Sequence, residues 1–263
     1  MTTFGARAGV ISETFNGSSF DANTWQVNLP TKDFSPQGLS SNPSGLASNA
    51  SATVSNGVAN LAGRAQLVTK QVFPTPVTIS GDVKITNLGG PASDPHYNND
   101  ESFTIATRTN AGYDYGFFGE VDNSILFRAQ FVSNNPAHWN FSILTSNGSS
   151  TNFLASTQAD PIFGAFDTIH FTVTDDGTNV SFNLAKLVNG VPSPTGAATL
   201  TATTTLAGTG NQVAFYDRES PQSDFPPHSV SLDNVNISSV PEPGTISVVA
   251  IAAFAALRRR RSN

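Results

Sequence analysis

Two carboxylates spaced two residues apart, Glu120 and Asp122, are the sharpest candidates for chemistry in this 263-residue chain. On a strand, positions two apart share a face, so both would project to one side. A carboxylate pair can cleave a glycosidic bond, the retaining geometry requiring carboxyl groups about 5–5.5 Å apart. Polar residues closing a strand before a turn at Asn123 account for the same two side chains without any activity. Asp94, Asn98, Asp100 and Glu101 form the densest set of oxygen donors in the chain. Calcium takes six to eight such oxygens from a loop, and a solvated loop with Asx turns uses the same residue types. Tyr113 and Tyr115 would share one strand face, and Trp139 is a further polar-tipped aromatic. Such rings can stack on the apolar face of a sugar or pack between sheets.

Other chemistries find little support. His96, His138, His170 and His228 are scattered, with no spacing that suggests a shared metal. No Gly-x-Ser-x-Gly elbow is present. The absence of cysteine removes disulfides, thiolate metal sites and a cysteine nucleophile together. Four of the 13 basic residues are Arg258, Arg259, Arg260 and Arg261, so the rest of the chain carries 9 positive against 19 negative charges, a balance of -10. Affinity for nucleic acid comes largely from neutralised phosphates, and an acidic body has no means to supply it.

The elements that would position these residues read as strands. Charged residues make up only 12 % of the chain, against an abundance of the Ser, Thr, Asn and Gly that suit strands and tight turns. Ile169, Phe171 and Val173 alternate with polar residues, Asp176-Gly177 turns the chain, and Val180, Phe182 and Leu184 alternate again. Period-two patterning around Asp-Gly is a hairpin signal, and Asn56-Gly57 repeats it within 53–61. Further strands are expected over 77–85, 102–107, 113–121, 124–132, 139–144, 199–206, 212–216 and 230–237. With 19 Phe spread along them, each worth about 1.5–3 kcal/mol when buried, the core is substantial without cross-links. The expected fold is all-β, an antiparallel two-sheet jelly-roll sandwich over residues 10–238, followed by a short hydrophobic helix.

The opening Glu13-Thr14-Phe15-Asn16, the hairpin at 174–180 and the closing segment 231–237 resemble concanavalin A-like (laminin G-like) jelly-roll domains. That resemblance implies that the first and last strands lie side by side. It also implies a family of carbohydrate-binding modules, lectins and glycan-cleaving enzymes. Laminarinase-type hydrolases of this fold use Glu-x-Asp-x-x-Glu. Here Glu120 and Asp122 match the first two positions, and Ile125 stands where the acid/base belongs. The expectation is therefore a non-catalytic glycan-binding or structural sandwich, with hydrolysis through Glu120 as the alternative.

From residue 239 the composition changes. Pro241-Glu242-Pro243 holds the chain extended, 245–257 is uncharged and apolar, and Arg258 to Arg261 follow as a stop-transfer cluster. Thirteen helical residues span about 20 Å against a hydrocarbon core of about 30 Å, a deficit that arginine snorkelling and bilayer thinning reduce. These three ordered elements resemble the PEP-CTERM sorting domain of exosortase substrates. The resemblance implies export, transient anchoring in the inner membrane, recognition at Pro241-Glu242-Pro243 by the exosortase, and delivery to the cell surface or a polysaccharide matrix. Residues 1–9 carry no apolar run of leader length, so a leader is expected to lie upstream or to have been removed.

Overall fold

A computed structural model describes residues 9–29, 50–63, 65–87, 101–110, 123–132, 138–146, 150–159, 163–208, 210–218 and 229–239. The described residues form fifteen strands: β1 (Val10–Glu13), β2 (Trp25–Asn28), β3 (Ser51–Ser55), β4 (Val58–Ala62), β5 (Gln66–Thr69), β6 (Val77–Asn87), β7 (Glu101–Thr109), β8 (Ser124–Val132), β9 (His138–Ser146), β10 (Thr151–Ala159), β11 (Ile169–Asp175), β12 (Asn179–Val188), β13 (Val191–Thr203), β14 (Gln212–Arg218) and β15 (Ser229–Ser239). They build two antiparallel sheets. One runs β13-β12-β11-β6-β15-β4-β3 with β1 also paired to β15, and the other runs β10-β9-β8-β7-β14-β5-β2. Non-sequential neighbours, such as β6 between β11 and β15, mark the crossovers of a jelly-roll sandwich.

The alternation that marks the strands also fills the core. In β11 the burial pattern has period two, with Ile169, Phe171 and Val173 inside. In β8, Ile125, Phe127, Ala129 and Phe131 turn to the same interior. Phe103, Phe171 and Phe215 meet there with ring centroids 5.5–6.3 Å apart, joining β7 and β14 to β11 across the layers. Asn56 and Gly57 adopt φ of 54° and 77°, the doubly positive turn that matches strand twist and that Asn-Gly permits. Gly81 is required by a close approach, since a Cβ there would lie 2.7 Å from the Phe171 ring.

β1 and β15 pair from Val10↔Ser238 to Glu13↔Val235, and the Ser239 amide donates to the Gly9 carbonyl at 3.0 Å. The expected strand at 113–121 and the expected helix at 245–257 lie outside the described residues. Among the described residues no helix is long and apolar enough to cross a membrane.

One polar group crosses the core. β7 bulges against β14 between Ala106 and Thr109, and Arg108 takes φ of 58° at the bulge. This turns its guanidinium inward to Asp175 on β11, with Nε–Oδ2 at 2.9 Å and Nη2–Oδ1 at 2.5 Å. Asp175 also accepts from Thr107 Oγ1 at 3.1 Å and the Gly177 amide at 3.0 Å, and Arg108 Nη1 donates to the Leu206 carbonyl. The acid is fully buried and the base nearly so.

Candidate functional site

The seven-stranded sheet has a second face, and its side chains follow from strand alternation. Where Phe127 and Ala129 point into the core, Leu126, Arg128 and Gln130 point the other way. Register then carries one polar row across the whole sheet. Asn28 pairs with Gln66 and Gln66 with Tyr216. Tyr216 pairs with Thr104, Thr104 with Arg128, Arg128 with Ser142 and Ser142 with Ser156. Seven strands at about 4.8 Å spacing make a row of roughly 29 Å. Beside it runs an apolar row of Val68, Ala214, Ala106, Leu126 and Leu144, which cluster with Tyr216 apart from the main core. On its other side Gln130 pairs with Asn140.

The middle of this polar row is enclosed. Gln66 is 1 % exposed, Tyr216 and Thr104 0 %, Arg128 7 % and Ser142 5 %. Gln66 Nε2, Thr104 Oγ1 and Asn28 Nδ2 are buried with no hydrogen-bond partner among the described residues. Native interiors rarely leave such groups unpaired, because each costs about 1–3 kcal/mol when orphaned. Three on one row of one face are unsatisfied amide and hydroxyl groups of the kind that engages a hydroxyl-rich ligand, beside an aliphatic strip that is equally buried.

The strand ends place this row. β7 begins, β8 ends, β9 begins and β14 ends at the same side of the sheet, as the pairs Glu101↔Phe131, Val132↔His138 and Arg218↔Ser102 require. Glu101 is the first residue of β7, three before Thr104, and Asp94, Asn98 and Asp100 precede it in the chain. Those three residues lie outside the described set, as do Glu120, Asp122, Tyr113, Tyr115, Pro241, Glu242, Pro243 and the arginines at 258–261. Among the described residues no group of three acidic or histidine side chains could hold a metal ion.

Trp139 corrects an expectation. It is 2 % exposed, on the core side of β9, with Phe131 at 5.4 Å and Phe141 stacked at 6.0 Å. Its Nε1 donates to the Gly164 carbonyl at 3.3 Å. Position 139 shares parity with Phe141 and Ile143, so the ring packs between the sheets and offers no face to a sugar. Sequence reasoning missed Gln66, Thr104, Tyr216 and Arg128 as a group, because only the register between distant strands aligns them.

Two other polar surfaces occur. On the outer face of the eight-stranded sheet, Asp82 accepts from Asn234 Nδ2 at 2.7 Å and meets His170 Nδ1 at 2.7 Å, with Asp233 directly across the strand. Burial and the charge of Asp82 raise the Asp233 carboxyl above its ordinary value, against the Asn234 amide that bonds it. His170 is thus partnered and half-buried. Second, a recess of about 660 Å³ opens near the β11–β12 turn, lined by Leu154, Asp176, Asn179, Ser181, Thr201 and Thr203 among others. Hydrogen bonds from the Asn179 side chain and amide and the Thr178 amide hold Asp176 below the usual carboxylate range.

No family model and no curated protein sequence matches the chain. Solved structures do. The acidic lectin of winged bean, complexed with methyl-α-D-galactose, is 12 % identical, with 89 % of this chain and 99 % of that chain covered and a TM-score of 0.53. The CBM2 module of the evolved Dit of Lactobacillus casei BL23 phage J-1 is 13 % identical over 90 % and 98 %, with a TM-score of 0.52. The exoplasmic/lumenal domain of VIP36, in a form bound to calcium and Man2, is 11 % identical over 86 % and 87 %, with a TM-score of 0.53. At such identities the likeness is one of architecture, and this chain has the two-sheet jelly-roll fold found in lectins and carbohydrate-binding modules.

Proposed function

We propose that the protein is an exported surface or matrix protein whose sandwich binds glycan along the polar row of the seven-stranded sheet. The tail of Pro241-Glu242-Pro243, an apolar stretch and four arginines supplies the sorting route. The observation that carries the binding reading is the trio of unpaired buried groups, Gln66 Nε2, Thr104 Oγ1 and Asn28 Nδ2, all on one row. A ligand presenting hydroxyls would satisfy them by displacing what encloses this face, and the aliphatic row beside them would then take its apolar side. Asp94, Asn98 and Asp100 precede Glu101, which opens β7, and a calcium ion held by these four would shape the rim of the site. The sugar and calcium in the fold neighbours support this reading.

Thr104→Val tests it. Replacing an unpaired hydroxyl by a methyl of the same shape is neutral to stabilising, by up to about 1 kcal/mol. The expected outcome is therefore a variant that melts no lower than the parent yet loses tenfold or more in affinity on a glycan array. Runs with calcium and with chelator separate the metal's part. Unchanged binding in Thr104→Val, or no glycan bound by the parent in either condition, removes the reading and leaves a structural coat protein. Release of sugar by the purified chain would favour hydrolysis through Glu120.

A further inference from the structure

The four sheet edges are unequal. On one flank the sheets end in β2, of four residues, and β3, of five. Short strands are one of the ways proteins make an edge unattractive to other chains. The opposite flank ends in β10, of nine residues, and β13, of thirteen. Neither contains Asp, Glu, Lys or Arg, so the charged side chains that usually guard a long edge are missing. Pro192 and Pro194 protect only the start of β13, before its register with β12 becomes regular at Ala197.

From Ala197 to Thr203 the strand is regular, uncharged and free of proline. The Thr204 amide donates to Thr178, so by alternation the even-numbered residues bond to β12. The odd-numbered ones, Ala197, Thr199, Thr201 and Thr203, then turn their N–H and C=O outward. Among the described residues no strand takes those groups. The run reads Ala-Ala-Thr-Leu-Thr-Ala-Thr and is nearly its own mirror about Leu200.

We propose that β13 pairs antiparallel with β13 of a second copy of this chain, about a two-fold axis at Leu200, joining the two eight-stranded sheets edge to edge. That register sets Ala197 opposite Thr203 and Thr199 opposite Thr201, so every outward amide and carbonyl of the run meets a partner. On the exposed face it gives Thr–Thr and Ala–Thr cross-strand pairs, and on the core face it sets Ala198 against Ala202 and Leu200 against Leu200. No charge is buried. The same rotation brings the uncharged β10 edges toward each other, above the recess bordered by Leu154, Thr201 and Thr203. An extended segment of a different protein could use the edge, but only a second copy explains a run that complements itself.

The chain has no cysteine, which makes the register directly testable. Thr199→Cys and Thr201→Cys full-length chains, tagged to differ in size, are mixed and oxidised. Directly opposed residues have Cα atoms about 5.5 Å apart, within disulfide reach. Identical residues in this register are diagonal, about 7–8 Å apart. The expected result is a mixed disulfide between the two variants, formed at least tenfold faster than either self-linked product. The parent is expected at twice the 27.6 kDa chain mass by native mass spectrometry from detergent. Thr199→Lys with Thr201→Lys, both on exposed positions, is expected to be monomeric and folded, with the far-ultraviolet circular dichroism of the parent, because the lysines face one another. A monomeric parent at tens of micromolar, a dimer that survives the lysine pair, or no preference for the mixed disulfide would each overturn the proposal.

Discussion

Asp233 shows how a single carboxylate is set against its surroundings. It lies on β15 opposite Asp82 of β6, which is engaged with His170 of β11 and Asn234, while Lys84 stands two residues further along β6. Burial, and then the Asp82 charge, raise its folded-state proton affinity above the unfolded value. A raised carboxyl means that ionisation costs stability. The cost is fully present above the folded pKa and is relieved as the pH falls through it toward the unfolded value of 3.8. Asp233→Asn keeps the oxygen that accepts the Asn234 amide at 2.7 Å and removes the charge. It should therefore stabilise the protein at pH 7, and the gain should fade on acidification, as urea titrations across that range would measure. A variant less stable at pH 7, or a gain independent of pH, would show that the charge is not the cause. None of this was legible in the sequence, where Asp82, His170 and Asp233 are far apart. Trp139 was misleading for the opposite reason. Its residue type suits sugar stacking, but strand parity had already assigned it inward with Phe141.

At the scale of elements, the hairpins were the legible part. Asn56-Gly57 and Asp176-Gly177 carry their turn geometry locally, and the strands beside them alternate over short distances. β13 was less readable. It was expected over 199–206, yet it runs Val191–Thr203, because its first half holds prolines and exposed residues that only its pairing with β12 makes a strand. The Arg108–Asp175 pair was not readable either, since it needs the bulge in β7 and the facing strand β11 together. That pair ties the two layers across the core, and removing one partner leaves a buried charge uncompensated. Asp175→Asn should cost about 3–5 kcal/mol in chemical denaturation. A loss below about 1 kcal/mol would mean that solvent reaches Arg108 and that the layers are held by the aromatic contacts alone.

For the whole molecule, the class of fold followed from composition and periodicity, while the polar row depended on how seven strands stack in register. The sorting role proposed for the tail rests on local sequence and is tested as such. In a bacterial host carrying an exosortase, the unaltered chain is expected to give a shortened product at the surface. Pro241→Ala with Pro243→Ala is expected to leave the full-length chain in the inner-membrane fraction. Identical fractionation of the two would remove the sorting reading. Delivery of a self-paired module to a matrix would also let each particle hold two glycans, so that weak single contacts add through effective concentration.

The place where the chain leaves β15 has a mechanical consequence. β15 is an interior strand, bonded to β6 along most of its length, to β4 at its start and to β1 at its end. Tension between the segment after Ser239 and anything gripped by the opposite sheet would run along β15. It would strain these bonds in parallel, as in a lap joint, instead of peeling them apart singly. The N-terminal strand would be clamped by the same pull, because it lies beside the strand under tension.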